Sequence, residues 1–339
     1  MDTSERDSPF LPSKSSVQLF SLLWQLEAWM REMVYVEFRA RYATWQNEIT
    51  NTIRDWPPRS QNPDKRLTHM RTPHERGISY LSLGQLLSIV QSETYSMLFT
   101  QYLPPPDIFG PRMSEISQIR HRIAHFRDPH DTDVDRTSLL LKDLDQGFWR
   151  FATAYQTRKI RFGDNSSDSI NDYFNDTHDR RWVVEMRTLD GDWRYAGERR
   201  EPRLNFDLSY STRPWFTYNA QALIGHAGLV YHARLRSRLN VSVDEVLRRT
   251  QDVHANCIHI RLEHNSIEIM VPSVIGHDLV VSTLDSFLNR SIECMSSSDV
   301  LDTQKLDQIA AKWPEYVLGP SNPLGALETS MQGPIFALS

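Results

Sequence analysis

Apolar residues in the first third of the chain recur at intervals of three and four. From Ser16 onward Leu19, Leu23, Leu26, Met30 and Met33 form one stripe, which drifts to Val34, Phe38, Tyr42 and Trp45. That spacing predicts one long amphipathic helix over 16–56, its stripe wandering as 3.6 residues per turn requires. Pro57 and Pro58 stop it, and a polar, proline-bearing loop follows to about Gly77. Ser82 and Gln85 have the spacing of a capping box. Leu83, Leu86, Leu87, Val90, Met97 and Leu98 then supply the buried stripe of a second helix, which runs to Pro104, Pro105 and Pro106. A third helix starts near Pro111 or Arg112, with Ile116, Ile119, Ile123 and Phe126 on its core face. Asp131 or Thr132 caps a fourth, in which Val134, Thr137, Leu141, Leu144, Phe148, Phe151 and Tyr155 keep 3-4 spacing. Four such helices predict an all-α bundle.

The period then changes. Residues 163–179 are rich in Asp, Asn and Ser and read as a linker. Two short apolar runs, 182–188 and 193–196, flank an Asp190-Gly191 turn and predict a hairpin. Leu204, Phe206, Leu208 and Tyr210 alternate with polar residues as a half-buried strand does. Ser242 and Glu245 have the spacing to cap a short helix. The runs 257–263 and 266–271 form a second hairpin around His264 and Asn265, and a helix follows over 278–293. The chain therefore reads as α+β overall, an N-terminal helical bundle followed by a smaller α+β domain with antiparallel hairpins. The expected boundaries are 12–162 for the bundle, 163–180 for the linker, 181–318 for the second domain and 319–339 for a C-terminal tail without a fixed place. No internal repeat is visible.

Composition narrows the function. The chain has 339 residues, 40% apolar and 24% charged, with a net charge of -5, which argues against a protein that coats nucleic acid non-specifically. Charge is local, however: between Pro111 and Arg127 stand Arg112, Arg120, Arg122 and Arg127 against the single acid Glu115. Two cysteines, Cys257 and Cys294, are too few for a disulfide framework and lack metal-ligand spacing. The first ten residues are polar, and no run is long and apolar enough for a bilayer, so a cytoplasmic location without a membrane partner is expected.

The basic segment also holds the most telling stretch of the chain, Arg120-His121-Arg122-Ile123-Ala124-His125. Cleaving RNA without a metal needs a cation on the scissile phosphate and an imidazole that moves the 2′-hydroxyl proton near neutral pH. On a regular helix His121 and His125 lie four apart, roughly opposite the isoleucine stripe, while Arg120 and His125 diverge by about 140°. Either the helix is irregular there, or a second copy completes the site across a two-fold axis. The second arrangement is the expected one.

This segment resembles the signature of the HEPN superfamily, an arginine, a polar residue, several further residues and a histidine. Leu81-Ser82-Leu83-Gly84-Gln85-Leu86 and the 133–148 stretch also look like bacterial HEPN domains of abortive-infection and toxin type. The resemblance covers about residues 15–160 and does not reach the second half. It implies a metal-independent RNA endonuclease, homodimeric through the bundle, with no cofactor, in a toxin–antitoxin or antiphage setting. By the same resemblance His125 is the general base, or the acid in the partner subunit, and Arg120 holds the phosphate. His121 shares the catalytic site, and Arg122 and Arg127 bind the strand. The second domain is expected to bind an antitoxin or a phage trigger, since an unrestrained ribonuclease harms its host. Some HEPN proteins have lost activity, so the competing reading is a silent dimer that binds RNA or a partner protein.

Other chemistry is weaker. His121 and His125 with Asp128 and His130 suggest part of a metal site, but Arg120, Arg122 and Arg127 crowd it, and no glutamate lies between the histidines as a zinc-protease motif requires. His69 and His74 lie in a loop that could approach the groove. Glu27 and Arg31 are spaced for an ion pair, at the surface or between subunits. His254, His259 and His264 recur every five residues, a period of neither helix nor strand, and are read as unrelated. Trp193 and Trp215 read as core. There is no glycine-rich phosphate loop and no serine nucleophile elbow.

Overall fold

Helix α1 (Lys14–Arg41) changes character along its length. Leu19, Leu22, Leu23, Leu26 and Met30 are buried on one side, but from Met33 to Ala40 every residue is buried, Glu37 and Arg39 included. A helix apolar on one stripe lies at a surface, and one buried all round runs through a core. The computed structural model describes residues 11–53, 76–154, 159–161, 168–176, 184–187, 193–195, 204–216, 225–237, 240–264, 266–296, 303–327 and 334–336. The protein is α+β and divides into two units. Unit 1 comprises Met1–Tyr35, Gln46–Phe151 and Ser330–Ser339; unit 2 comprises Val36–Trp45 and Ala152–Thr329. The first ten residues of the second unit thus come from the end of α1 and the turn after it.

Unit 1 is helical. After α1 come α2 (Trp45–Thr52), α3 (Leu83–Val90), α4 (Pro106–Ala124) and α5 (Asp133–Ala154). The expected single helix over 16–56 is broken at residues 42–44. The reason is a competitor for its hydrogen bond: the Ala40 carbonyl accepts from Gly228 N–H at 2.7 Å, which takes the place of residue 44 in the helical ladder. Residues 54–75, with the predicted end of that helix and with His69 and His74, lie outside the described residues. The capping box of α3 forms in both directions, Ser82 Oγ accepting from Gln85 N–H and Gln85 Oε1 accepting from Ser82 N–H. This helix is shorter than expected. It stops at Val90, a 3-10 helix covers Ser96–Leu98, Leu98 is buried and Met97 is exposed. Helix α4 begins earlier than expected, with Pro106 in its first turn and Pro111 inside it. In α5, Thr137, Leu141, Leu144, Phe148 and Phe151 are buried as the spacing predicted, while Val134 is half-exposed and Tyr155 is not described. The tail also has a place: Phe336 is buried, its ring centroid 5.4 Å from that of Phe148, and Asp145 Oδ1 accepts from Phe336 N–H at 3.2 Å.

Unit 2 is built on an eight-stranded mixed sheet. Its strands are β1 (Lys159–Arg161), β2 (Val184–Arg187), β3 (Trp193–Tyr195), β4 (Leu204–Thr212), β5 (Leu229–Ser237), β7 (His259–Glu263), β8 (Ser266–Pro272) and β10 (Val317–Leu318); β6 (Asn240–Val241) and β9 (Met295–Ser296) form a separate ribbon. The order is β10-β7-β8-β5-β4-β2-β3, with β1 also paired to β4. The predicted hairpins β2–β3 and β7–β8 are both antiparallel, whereas β2 with β4 and β10 with β7 run parallel. The turn at Asp190-Gly191 and Asn265 lie outside the described residues.

Strand alternation sorts the sheet into two faces. Phe206, Leu208, Tyr231, Leu235, Ile269 and Leu262 join the core, together with Val280, Leu284 and Phe287 of the helix His277–Glu293. The opposite face carries Ser211, His232, Glu268 and Arg261, all buried. There Ser211 Oγ lies 2.7 Å from His232 Nε2, and Arg261 Nη2 lies 2.6 Å from Glu268 Oε2. The expected linker is in part a helix, Ser169–Asp176. Asp168 Oδ1 accepts from the N–H groups of Ile170 and Asn171, both at 3.0 Å, and Ile170 and Phe174 enter the core. Ser242 precedes the helix Val243–Arg249 but makes no side-chain cap; Glu245 pairs instead with Arg248 and Arg249. Trp215 is half-buried and donates from Nε1 to Glu37 Oε2, and Arg213 makes a buried ion pair with the same carboxylate. Cys257 and Cys294 are free and buried, and burial pushes the Cys257 thiol up to about 12. No helix among the described residues is long and apolar enough to cross a membrane.

Candidate active site

The packing of α4 decides where each motif side chain goes. Phe109, Met113, Ile116, Ile119 and Ile123 are buried, which turns the other faces of the helix outward. Burying each of these isoleucines contributes roughly 2 kcal/mol. Arg120 borders the stripe, and its Nη2 lies 3.5 Å from Glu27 Oε2. Glu27 pairs also with Arg31, so one carboxylate serves two guanidiniums. Burial lowers the pKa of Arg31, with Glu27 opposing that shift and Arg120 adding to it. Arg31 Nε further donates to the Leu81 carbonyl at 3.1 Å. The Glu27–Arg31 pair is therefore half-buried inside unit 1 rather than lying at the surface, and it holds Arg120.

Helix α4 ends at Ala124, two residues before its expected stripe does. His125 is the C-cap, with φ −101° and ψ 20°. Phe126 follows in the left-handed region, at φ 55°. Its N–H donates to the Ile123 carbonyl at 3.0 Å, and Arg127 N–H donates to the Arg122 carbonyl at 3.1 Å. Those two bonds make a Schellman motif, whose left-handed position usually holds glycine. Phe126, expected on the core face, is 100% exposed. The reversal of the backbone at this one residue turns its ring away from the isoleucine stripe.

The irregular end brings the two histidines together. The rings of His121 and His125 meet edge to face with centroids 4.4 Å apart, and both residues are exposed. Arg120 turns instead toward α1. Arg122 leaves on another side, its Nη2 3.5 Å from Asp133 Oδ2, which also accepts from His130 N–H at 2.9 Å. Arg127 is exposed. Between α4 and the start of α5 lies a cleft of about 390 Å³ lined by Gln118, Arg122, His130 and Thr132 and by the ion-paired Glu115 and Arg136. Among the described residues no group of three or more metal-ligating side chains converges, and His121, His125, Asp128 and His130 do not form one.

The motif helix thus presents two neighbouring exposed imidazoles, with Arg120 and Arg122 drawn to acids on other sides and Arg127 exposed beyond the turn. Sequence reasoning missed three contributors: Asp133, which holds Arg122; the cleft beside it; and the backbone of Phe126. The helix start was expected at Asp131 or Thr132, with no role for Asp133; its partner Arg122 is a residue that only folding brings near. No family model, no curated protein and no solved structure matches this chain.

Proposed function

We propose that the protein is a metal-independent endoribonuclease of HEPN type. The observation that carries this reading is the exposed His121–His125 pair at the end of α4, in a stretch of sequence that also holds Arg120, Arg122 and Arg127. In the proposed reaction His125 takes the proton of a ribose 2′-hydroxyl as that oxygen attacks the adjacent phosphorus. The bond from phosphorus to the 5′-oxygen breaks, and the other imidazole returns a proton to the leaving oxygen. The products are a 2′,3′-cyclic phosphate and a 5′-hydroxyl. Arg122 and Arg127 hold the strand. Arg120 and His125 diverge on one subunit, so the guanidinium that stabilises the phosphate charge comes from a second copy. The second domain controls the enzyme in the cytoplasm, either by binding an antitoxin that restrains it or by sensing a phage trigger that releases it, as a defence effector requires.

The test is direct. Purified protein in EDTA is given single-stranded RNA and DNA of the same sequence, and the ends are mapped. RNA should be cut to 2′,3′-cyclic phosphate ends while DNA survives, and His125→Ala should lower the rate by about 100-fold or more. A His125→Ala protein that cuts at the wild-type rate would remove the reading. Sedimentation equilibrium checks the second copy, with a dimer expected.

A further inference from the structure

We infer that Phe126 is a stacking platform for an unpaired base, which makes single-stranded RNA, rather than duplex, the substrate. The inference rests on the ribonuclease reading and adds to it the class of RNA and a binding residue. Two independent observations point to it. The ring is 100% exposed, directly after His125 and directly before Arg127. Its backbone sits at φ 55°, where a large side chain is strained and glycine is not. A residue with only a turn to make would be glycine or asparagine there. The hydrogen bonds from Phe126 and Arg127 to α4 fix the backbone of this turn, so the ring leaves the chain from a set point directly after His125. An exposed aromatic on a fixed backbone, followed in sequence by a cation, suits the face of a base, since every base has a π-face and stacks without sequence preference. In a duplex those faces are already stacked, so only a splayed nucleotide reaches the ring.

Full-length protein is titrated into a 2′-O-methyl RNA oligonucleotide carrying 2-aminopurine, which lacks the attacking hydroxyl and cannot be cut. The wild type should bind it and quench its fluorescence. Phe126→Gly should bind about tenfold more weakly without quenching, Phe126→Trp should bind as the wild type does, and a duplex of the same sequence should compete poorly. A thermal melt of Phe126→Gly no lower than that of the wild type shows that the loss is not unfolding. The inference is overturned if Phe126→Gly binds and quenches like the wild type, or if the duplex binds as well as the single strand. It is also overturned if Phe126→Gly halves the sedimenting mass while quenching persists, because the ring then belongs to a contact between copies. Since the probe is uncleavable, a wild type that binds and quenches but never cuts RNA keeps the platform and defeats the nuclease.

Discussion

His254 sits in the core of unit 2 with its ring nearly parallel to that of Phe287, centroids 5.9 Å apart, and its Nε2 lies 3.2 Å from Thr250 Oγ1. Burial lowers its pKa from 6.5 to about 4. The folded state therefore refuses a proton that the unfolded chain accepts. Stability is fully present above about pH 6.5, falls as the pH drops, and levels off near pH 4, a loss of about 3 kcal/mol at most. Urea titrations across that window should show the decline, and His254→Leu should flatten it; an unchanged slope in the variant would place the titrating group elsewhere. At Phe126, glycine relieves left-handed strain and sacrifices no burial. Phe126→Gly should therefore gain about 1 kcal/mol and raise the melting temperature by about 2 °C. Neither residue's state was legible in the sequence. The 3-4 spacing of Ile116, Ile119, Ile123 and Phe126 is that of a core stripe, and only the early end of α4 breaks it.

Among the helices, α5 is pinned by a glycine. A methyl group added at Gly147 would lie 1.7 Å from the Tyr102 carbonyl oxygen, a backbone atom that cannot swing aside. Gly147→Ala should therefore cost about 3 kcal/mol, read as a lower urea midpoint at unchanged slope. Ser82→Ala should cost about 1 kcal/mol, since it removes the cap of α3. The capping box was legible because both its partners lie within one turn. Ser242 and Glu245 have the same spacing and do not form one, because Arg248 and Arg249 take the glutamate. A spacing rule shows which pair can meet, and the neighbours decide whether it does.

Across the whole chain, the two units do not follow chain order. Glu37, on α1, is paired with Arg213 inside unit 2, both side chains fully buried. Removing one partner of such a pair leaves a buried charge exposed to no solvent, so Glu37→Ala should cost about 3–5 kcal/mol. A fragment of residues 1–162 would keep the end of α1 but lose Arg213, Gly228 and Phe336. It should melt lower and less cooperatively than the intact chain by circular dichroism. A fragment with the same sharp transition would show that unit 1 needs none of them.

Hydrophobic periodicity was enough for α+β architecture, the helical first half and both hairpins, and local residue identity for the basic histidine segment, because each rests on residues close in sequence. The chain could not reveal the break after α1, the helix within 163–179, the pairing of Arg120 with Glu27 or the left-handed turn at Phe126. The first three depend on a hydrogen bond, a charge or a packing surface supplied from far along the chain, and such partners exist only once it has folded. The turn is closed by local bonds to Ile123 and Arg122, but at a position where glycine is usual and phenylalanine gives no sign of it.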